Sequence, residues 1–418
     1  MRAIGYWLLA IGLVEPTLSA QQAPLPSHPS PLTVPEPGSE LTVKLITYYS
    51  GERIYERFGH NALVIHNART GTDDHYDYGR FSFEQEHFLL RFVQGRMWYS
   101  MGYSNNVPGM LDFYRSQGRT IWEQELDLTP AQRQQLQTFL VWNYRPENSG
   151  YAYDYYRDNC STRIRDAIDR VLGGAIRRYG AQPSSMTWRD ETRRLDQHSL
   201  PVYTGMLIAL GHPVDAVMTR WEQMFLPMRL RDHLDSVQVA GPDGVLRPVV
   251  KSERLLAEGG RWPVPARPTS WLPGYLLAGL LLGAVFLMLG PTRAFLPVAT
   301  LWTLLVGLLG AFLVWLWVFS LHWAAWRNEN LLLVNPVVLA LAFVLPSALR
   351  RKSWAILPAR RLTLWIVVLA VLALLLKPLP WFRQHNLEVI ALFLPAHLGL
   401  WKGLERALTP TRLPASLD

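Results

Sequence analysis

Beyond Trp271 this 418-residue chain is dominated by long apolar runs. Such runs leave little choice of structure, because in a bilayer every backbone N–H and C=O must be bonded internally, and a helix does so within one segment. Five stretches read as helical spans: Leu272 to Gly290, Phe295 to Ser320, Leu331 to Leu349, Leu362 to Leu376, and Leu387 to Trp401. The first three approach or exceed the roughly 20 residues a bilayer requires, and the fourth can borrow from its flanks. The fifth is short and carries Pro395 and His397, which leaves a re-entrant or interfacial course open beside a full crossing. With the N-terminal part outside, Arg293, Arg350, Arg351, Lys352, Arg360, Arg361, Lys402, Arg406 and Arg412 fall inside, nine positive residues against three (Arg327, Lys377, Arg383) in the outer loops. That asymmetry sets the orientation. The spans hold almost no ionisable residue at mid-depth, which argues against an ion channel or proton-coupled transporter.

The rest of the chain reads as an exported domain. Residues 1–20, with Arg2, an apolar run from Ala3 to Val14 and small residues at Ser19-Ala20, have the pattern of a secretory signal, read as cleaved rather than kept as an anchor. A proline-rich linker occupies 21–40, an outer domain 41–260, a short juxtamembrane hinge 261–271, the bundle 272–401 and a cytoplasmic tail 402–418. At about 3.1 Å per residue the hinge keeps the outer domain close to the membrane surface. The balance of 41 Lys+Arg against 33 Asp+Glu is accounted for by this topology, so no nucleic-acid partner is called for.

In the outer domain, "LTVKLITYYS", "HNALVIHN" and "DDHYDYGRFSF" read as strands, the last two joined as a hairpin through "NARTGTD" with Gly71 at the turn. "DLTPAQRQQLQTFLVWNY" reads as a helix capped by Thr129, with Pro130 in its first turn and Gln132 closing a capping box. A later hairpin, "VQVAGPDGVLRPVV", carries a Pro-Asp-Gly turn. Between them lies "DYYRDNCSTRIRDAIDRVLGG", a helix with Ile164, Ile168, Val171 and Leu172 at helical spacing, closed by Gly173-Gly174.

Cys160, at the start of that helix, is the only cysteine in the chain. In an oxidising compartment it has no internal disulfide partner, and an idle thiol is a liability. With Asp158 or Asn159 as cap, its sulfur enters the first turn, where free amide hydrogens and the helix dipole stabilise a thiolate. It sits among polar residues, off the apolar stripe, and is read as a nucleophile rather than a packing residue. A cysteine nucleophile needs a base. Among eight histidines outside the bundle, His60 follows Phe58-Gly59 at the start of an apolar strand and is preferred to His66, which shares its parity about 20 Å further along.

"ERFGHNALVIHN", "DHYDYGRFSF", "QGRMWYSMGYS", "RTIWEQELDLT", "YRPENSGYAYDYYRDNCSTRIRD" and "RNENLLLVNP" together resemble the Lnb family over about residues 42 to 401. The resemblance implies an α+β periplasmic domain similar to the permuted papain-like (NlpC/P60) superfamily, followed by a transmembrane bundle of about five spans in the bacterial inner membrane. It implies a lipoprotein N-acyltransferase that moves a fatty acyl chain from a phospholipid, through a thioester on Cys160, to the α-amino group of a diacylglyceryl-cysteine, with no metal or cofactor. Papain-like sites orient the histidine with a third polar residue; His75, Asp77 and Tyr78 are available, and charge favours Asp77. Arg163, one turn beyond Cys160, is placed to meet a phosphate headgroup or the oxyanion, or else to pair with Asp166 or Asp169. His322, Asn328 and Asn330, in "HWAAWRNENLLLVNP", are expected at the outer interface beneath the domain, with Tyr78 and Asn335 as further substrate-binding candidates. Asn335 meets the acyl-glycerol portion or merely satisfies a helix break. The aromatic surface near Trp98, Tyr99 and Tyr103 is expected to keep water from the thioester. Two rival readings are a membrane-anchored murein peptidase or amidase, which leaves five spans unexplained, and a non-enzymatic envelope binding protein, which would tolerate loss of Cys160.

Overall fold

The computed structural model describes residues 36–241, 243–259 and 264–409; the expected signal segment, the linker up to residue 35 and the end of the tail lie outside them. The outer domain is built on a seven-stranded antiparallel sheet. Its strands are β1 (Leu41–Tyr48), β2 (His60–Asn67), β3 (Thr72–Arg80), β4 (Trp98–Ser104), β5 (Ile121–Leu126), β6 (Gly150–Ala152) and β7 (Val250–Ala257). The order across the sheet is β7-β5-β1-β2-β3-β4-β6. The outer-domain helices that matter to the site are α1 (Phe88–Gln94), α2 (Val107–Ser116), α3 (Pro130–Tyr144), α4 (Cys160–Val171), α5 (Trp188–Asp196) and α6 (Leu200–Ala209). The bundle adds α7 (Leu272–Leu289), α8 (Phe295–Phe319), α9 (Val338–Leu349), α10 (Ser353–Leu375) and α11 (Leu387–Leu408).

The hairpin β2–β3 turns through Gly71 at φ +68°, a backbone region open to glycine. Thr129 and Gln132 close the expected capping box on α3. The Pro-Asp-Gly hairpin forms between Gln238–Ala240 and Leu246–Pro248. On one face of the sheet, Leu63 and Ile65 of β2 pack with Leu136 and Leu140 of α3 and Ile164 and Ile168 of α4, making a core that fixes the cysteine helix against the strands.

Four helices, α7, α8, α10 and α11, are long and apolar enough to cross a membrane. The fifth stretch, for which a re-entrant or interfacial course stood open, is a continuous 22-residue helix, α11, because Pro395 is accommodated within it and the buried His397 ring bonds the Leu333 carbonyl at 2.9 Å. The third stretch, Leu331 to Leu349, is not one helix: α9 has only 12 residues, which at about 1.5 Å rise falls well short of a bilayer core of about 30 Å. It is preceded by a 3₁₀ turn, Glu329–Leu332, and by irregular chain containing the buried residues Leu333 and Val334. Such backbone is tolerated at depth only when enclosed by protein.

Domain and bundle are in direct contact. Trp323, after α8, donates its indole N–H to Asp154 Oδ2 at 3.0 Å, and Arg157 stacks 3.8 Å over the same ring. Glu388 at the start of α11 accepts from Arg193 of α5 at 2.8 Å and from the backbone N–H of Trp271 at 2.8 Å. At the opposite end of the bundle Arg360 pairs with Glu405 at 3.0 Å.

Candidate active site

The cysteine helix begins where the sequence asks it to. Asn159 Oδ1 accepts from the backbone N–H groups of Ser161 at 2.9 Å and Thr162 at 3.0 Å, and Thr162 Oγ1 accepts from Asn159 N at 2.7 Å. The Asn159 amide is itself held by the carbonyls of Tyr155 at 2.8 Å and Phe225 at 2.9 Å. Cys160 is a free, half-buried thiol, and its backbone N–H is the first-turn donor these capping bonds do not use. The loop that leads into it, Asp154 to Asp158, is the one resting on Trp323, so the thiol is carried close to the outer end of the bundle.

His60 opens β2 opposite Tyr48 of β1. Gly59 before it has φ +81°, and a Cβ there would lie 2.8 Å from the Tyr48 carbonyl oxygen, so only glycine lets the chain enter the strand this close. His60 lines the same cavity as Cys160, and its Nε2 lies 3.1 Å from Asp77 Oδ2, which leaves Nδ1 as the ring nitrogen not engaged by the carboxylate. Burial alone would depress the imidazole's pKa, but Tyr114, Cys160 and Asp77 outweigh it and hold the ring well above the ordinary histidine value. The imidazolium is therefore favoured beside the sulfur.

Asp77 accepts from Arg80 as well, Nε to Oδ1 at 2.9 Å and Nη2 to Oδ2 at 2.9 Å. In a regular strand residues three apart point to opposite faces. Here the β3–β4 register shifts between Tyr78 and Arg80, and Gly79 takes φ +99°, a bulge that returns Arg80 to the face of Asp77. Burial would raise the Asp77 pKa, yet His60 and Arg80 overcome it and hold the carboxyl well below the usual carboxylate range. The bulge also lies against the cysteine, since a Cβ at Gly79 would make ordinary contact, 3.7 Å, with that of Cys160.

The residues weighed with Asp77 lie elsewhere. His75 bonds Tyr48 Oη at 3.3 Å, and burial pushes it down to about 4, so it stays neutral. Tyr78 borders the cavity, but its hydroxyl donates to Asn143 at 2.6 Å within the core. His66 pairs with Asp73 at 3.0 Å on the far part of the hairpin.

Cys160, His60 and Asp77 line one open cavity of about 330 Å³. Its walls are aromatic (Tyr55, Phe81, Tyr99, Tyr114, Tyr153) and its polar rim is cationic, with Arg53, Arg80 and Arg119. Arg119 is buried, bonded to the Tyr49 carbonyl at 2.6 Å and stacked 4.7 Å from the Tyr114 ring centre. Sequence reasoning did not single out Arg80, Arg119 or Tyr114. Only Arg80 had a local signal, the glycine between it and Asp77.

The remaining candidates are structural in their contacts. Arg163 is not brought into the cavity: its guanidinium makes a two-pronged pair with Asp158 at 2.6 and 2.8 Å and lies 3.7 Å over Tyr151, while Asp166 and Asp169 pair with Arg165 and Arg177. His322 donates to the Phe92 carbonyl at 2.8 Å. Asn328 bonds the carbonyls of Ile208 at 2.8 Å and Ala209 at 3.1 Å, and Asn330 those of Leu207 and Ile208 at 3.0 Å each. These amides thus satisfy the C-terminal carbonyls of α6, which a helix end otherwise leaves without partners. Asn335 bonds the Leu331 carbonyl at 3.2 Å and accepts from Val337 N at 2.9 Å, so its contacts are those of the helix break.

Two family models match the chain, the Lnb N-terminal periplasmic domain over residues 37–194 and the Lnb transmembrane domain over residues 268–400. Between them they cover more than half of its length. No match was found among curated proteins or among solved structures.

Proposed function

This chain belongs to the Lnb family and is a multi-pass membrane protein with a periplasmic N-terminal domain; from that premise we propose that it is an inner-membrane lipoprotein N-acyltransferase working through a Cys160–His60–Asp77 set. The observation that carries this reading is the placement of a helix-start cysteine, sharing a cavity with a histidine bonded to Asp77, directly after a loop bolted to the outer end of a bundle of apolar helices long enough to span a membrane. A soluble-substrate peptidase has no use for that mounting. The strand histidine preceding the helix cysteine also fits a permuted papain-like ancestry for the domain.

The chemistry follows in two steps. His60 Nδ1 takes the thiol proton, and the thiolate attacks the ester carbonyl of a phospholipid. The Cys160 N–H, at a helix N-terminus, is positioned to stabilise the oxyanion. The C–O bond breaks, His60 returns its proton to the departing lysophospholipid oxygen, and a thioester remains on Cys160. The α-amine of a diacylated lipoprotein then attacks the thioester, His60 accepts the amine proton, the C–S bond breaks, and the triacylated product leaves with the thiolate restored. Asp77 keeps the ring oriented and stabilises its imidazolium form each time His60 holds the proton. Arg80 and Arg119 provide the cavity's positive field for a phosphate headgroup.

The test is incubation of the purified protein with phospholipid vesicles and a diacylated lipopeptide, followed by mass spectrometry. Phospholipid alone should acylate Cys160 in a single turnover, releasing lysophospholipid, with an acyl label cleaved by neutral hydroxylamine. A free-amine acceptor should discharge it to a triacylated product, and a blocked-amine acceptor should not. Equal discharge by both acceptors, or turnover without an acyl-protein, would overturn the reading.

A further inference from the structure

One apolar surface of the outer domain is left unused by the core and by the catalytic set. Helix α1, "FLLRFVQ", leaves Leu89 75%, Leu90 52% and Phe92 52% exposed. Apolar side chains massed this way on a short surface helix call for a partner other than water. The helix is fixed at the end of α8: Leu321 N donates to the Gln94 carbonyl at 2.9 Å and His322 to the Phe92 carbonyl at 2.8 Å. The backbones touch there, since a Cβ on Gly95 would lie 3.2 Å from His322 N. At the same end α8 exposes Val318 and Phe319, so the apolar face of α1 continues the lipid-facing surface of a spanning helix at the depth of the outer headgroups.

From α1 an aromatic train leads inward. Ring centres are 6.4 Å apart from Phe92 to Phe88, 6.3 Å from Phe88 to Phe81, 5.0 Å from Phe81 to Tyr99 and 4.1 Å from Tyr99 to Tyr153. The last three of these line the cavity that holds Cys160. We infer that α1 is seated in the outer leaflet of the bilayer and that this aromatic path carries the donor's acyl chain from the leaflet to the thiol. The seating stands on geometry alone, while the role of the path rests on the acyltransferase reading. Apolar walls suit a hydrocarbon chain, because like the leaflet they keep its CH₂ groups from water. They also explain why a chain can reach a polar catalytic set without leaving an apolar surface.

The experiment has two arms, both on the full chain in phospholipid vesicles. In a Cys160→Ser background, Leu89→Cys and Leu90→Cys are spin-labelled, with Thr70→Cys as an aqueous reference and Leu308→Cys as a lipid reference. Collision with oxygen against a water-soluble nickel chelate should place the α1 labels with Leu308. Labels that behave like Thr70 would overturn the seating, whatever the enzyme does. In the second arm Leu89→Glu with Leu90→Glu, Cys160 intact, should slow acylation by vesicle phospholipid at least tenfold while changing acylation by water-soluble p-nitrophenyl acetate less than twofold. An unchanged vesicle rate, or equal loss with both donors, would overturn the path. If the labels sit in lipid but the unsubstituted protein forms no acyl-enzyme from phospholipid, the seating stands and the acyltransferase reading is what fails.

Discussion

Replacing Asp77 with asparagine removes a charge from the site and keeps its shape. The carboxylate oxygen lies 3.1 Å from His60 Nε2, with 2% of the Asp77 side chain and 17% of the His60 side chain exposed. Unit charges at that separation interact by about 5 kcal/mol at an effective dielectric of about 20, and screening along the exposed edge of the ring leaves about 3–5 kcal/mol. At about 1.36 kcal/mol per decade, acylation of Cys160 should slow by about a hundredfold to a few thousandfold. A second effect acts in the same direction: the asparagine amide can donate to Nε2, forcing the neutral ring's proton onto Nδ1, the nitrogen that must receive the thiol proton. The measurement is a rapid-quench single turnover with labelled phospholipid in proteoliposomes, beside a thermal melt. Loss of the carboxylate also lowers the pKa of His60, so the pH–rate profile should move to lower pH. A variant that melts like the parent and acylates within tenfold of it would refute the role assigned to Asp77.

Cys160→Ser and His60→Ala should each nearly abolish turnover, and the double variant should be little worse than either, because groups that act as one unit are not additive; simple multiplication of the single losses would separate them. Asn330→Ala takes the donor from the Leu207 carbonyl and the acceptor from the Asn386 amide, while the Ile208 carbonyl keeps Asn328; it should cost about 1–3 kcal/mol in stability, read as a lower melting temperature, with KM for phospholipid unchanged. Asp196 is raised by burial from 3.8 to about 6, with Arg57 at 3.6 Å only partly compensating. A raised carboxyl makes the folded state bind more protons than the unfolded one, so stability falls as pH rises from about 4 to 6, by up to about 3 kcal/mol, and stays lower above. Asp196→Asn should therefore raise the melting temperature at pH 8 and leave it unchanged near pH 4; a gain of equal size at both would show that charge is not the cause. A reporter fused at the C-terminus should face the cytoplasm, as the nine-to-three charge asymmetry requires.

The sequence by itself determined those features whose cause is local. Gly71 and the residues around it specify the β2–β3 turn, Thr129 and Gln132 the start of α3, and Asn159 the start of α4, because each acts on backbone groups within three or four residues. Long apolar runs specified spanning helices for the same reason, since a bilayer leaves a segment to satisfy its own backbone. The polarity around a lone cysteine pointed to Cys160 and strand position to His60, and the structure shows the two lining one cavity. What only the tertiary structure decided is which side chains meet across elements. Asp77, rather than His75 or Tyr78, contacts His60 because strand register and the bulge at Gly79 put it there, and no neighbour in sequence reports that register. Arg163 and the asparagines of the outer loop carry chemistry suited to a ligand, and only the fold shows that they bond Asp158 and the end of α6. The third passage divides into a 3₁₀ turn and a short helix because surrounding helices enclose its irregular backbone, whereas Pro395 is absorbed by α11. Hydrophobicity measures how much a segment prefers lipid, and which backbone groups find partners inside a bundle depends on packing between segments far apart in the chain.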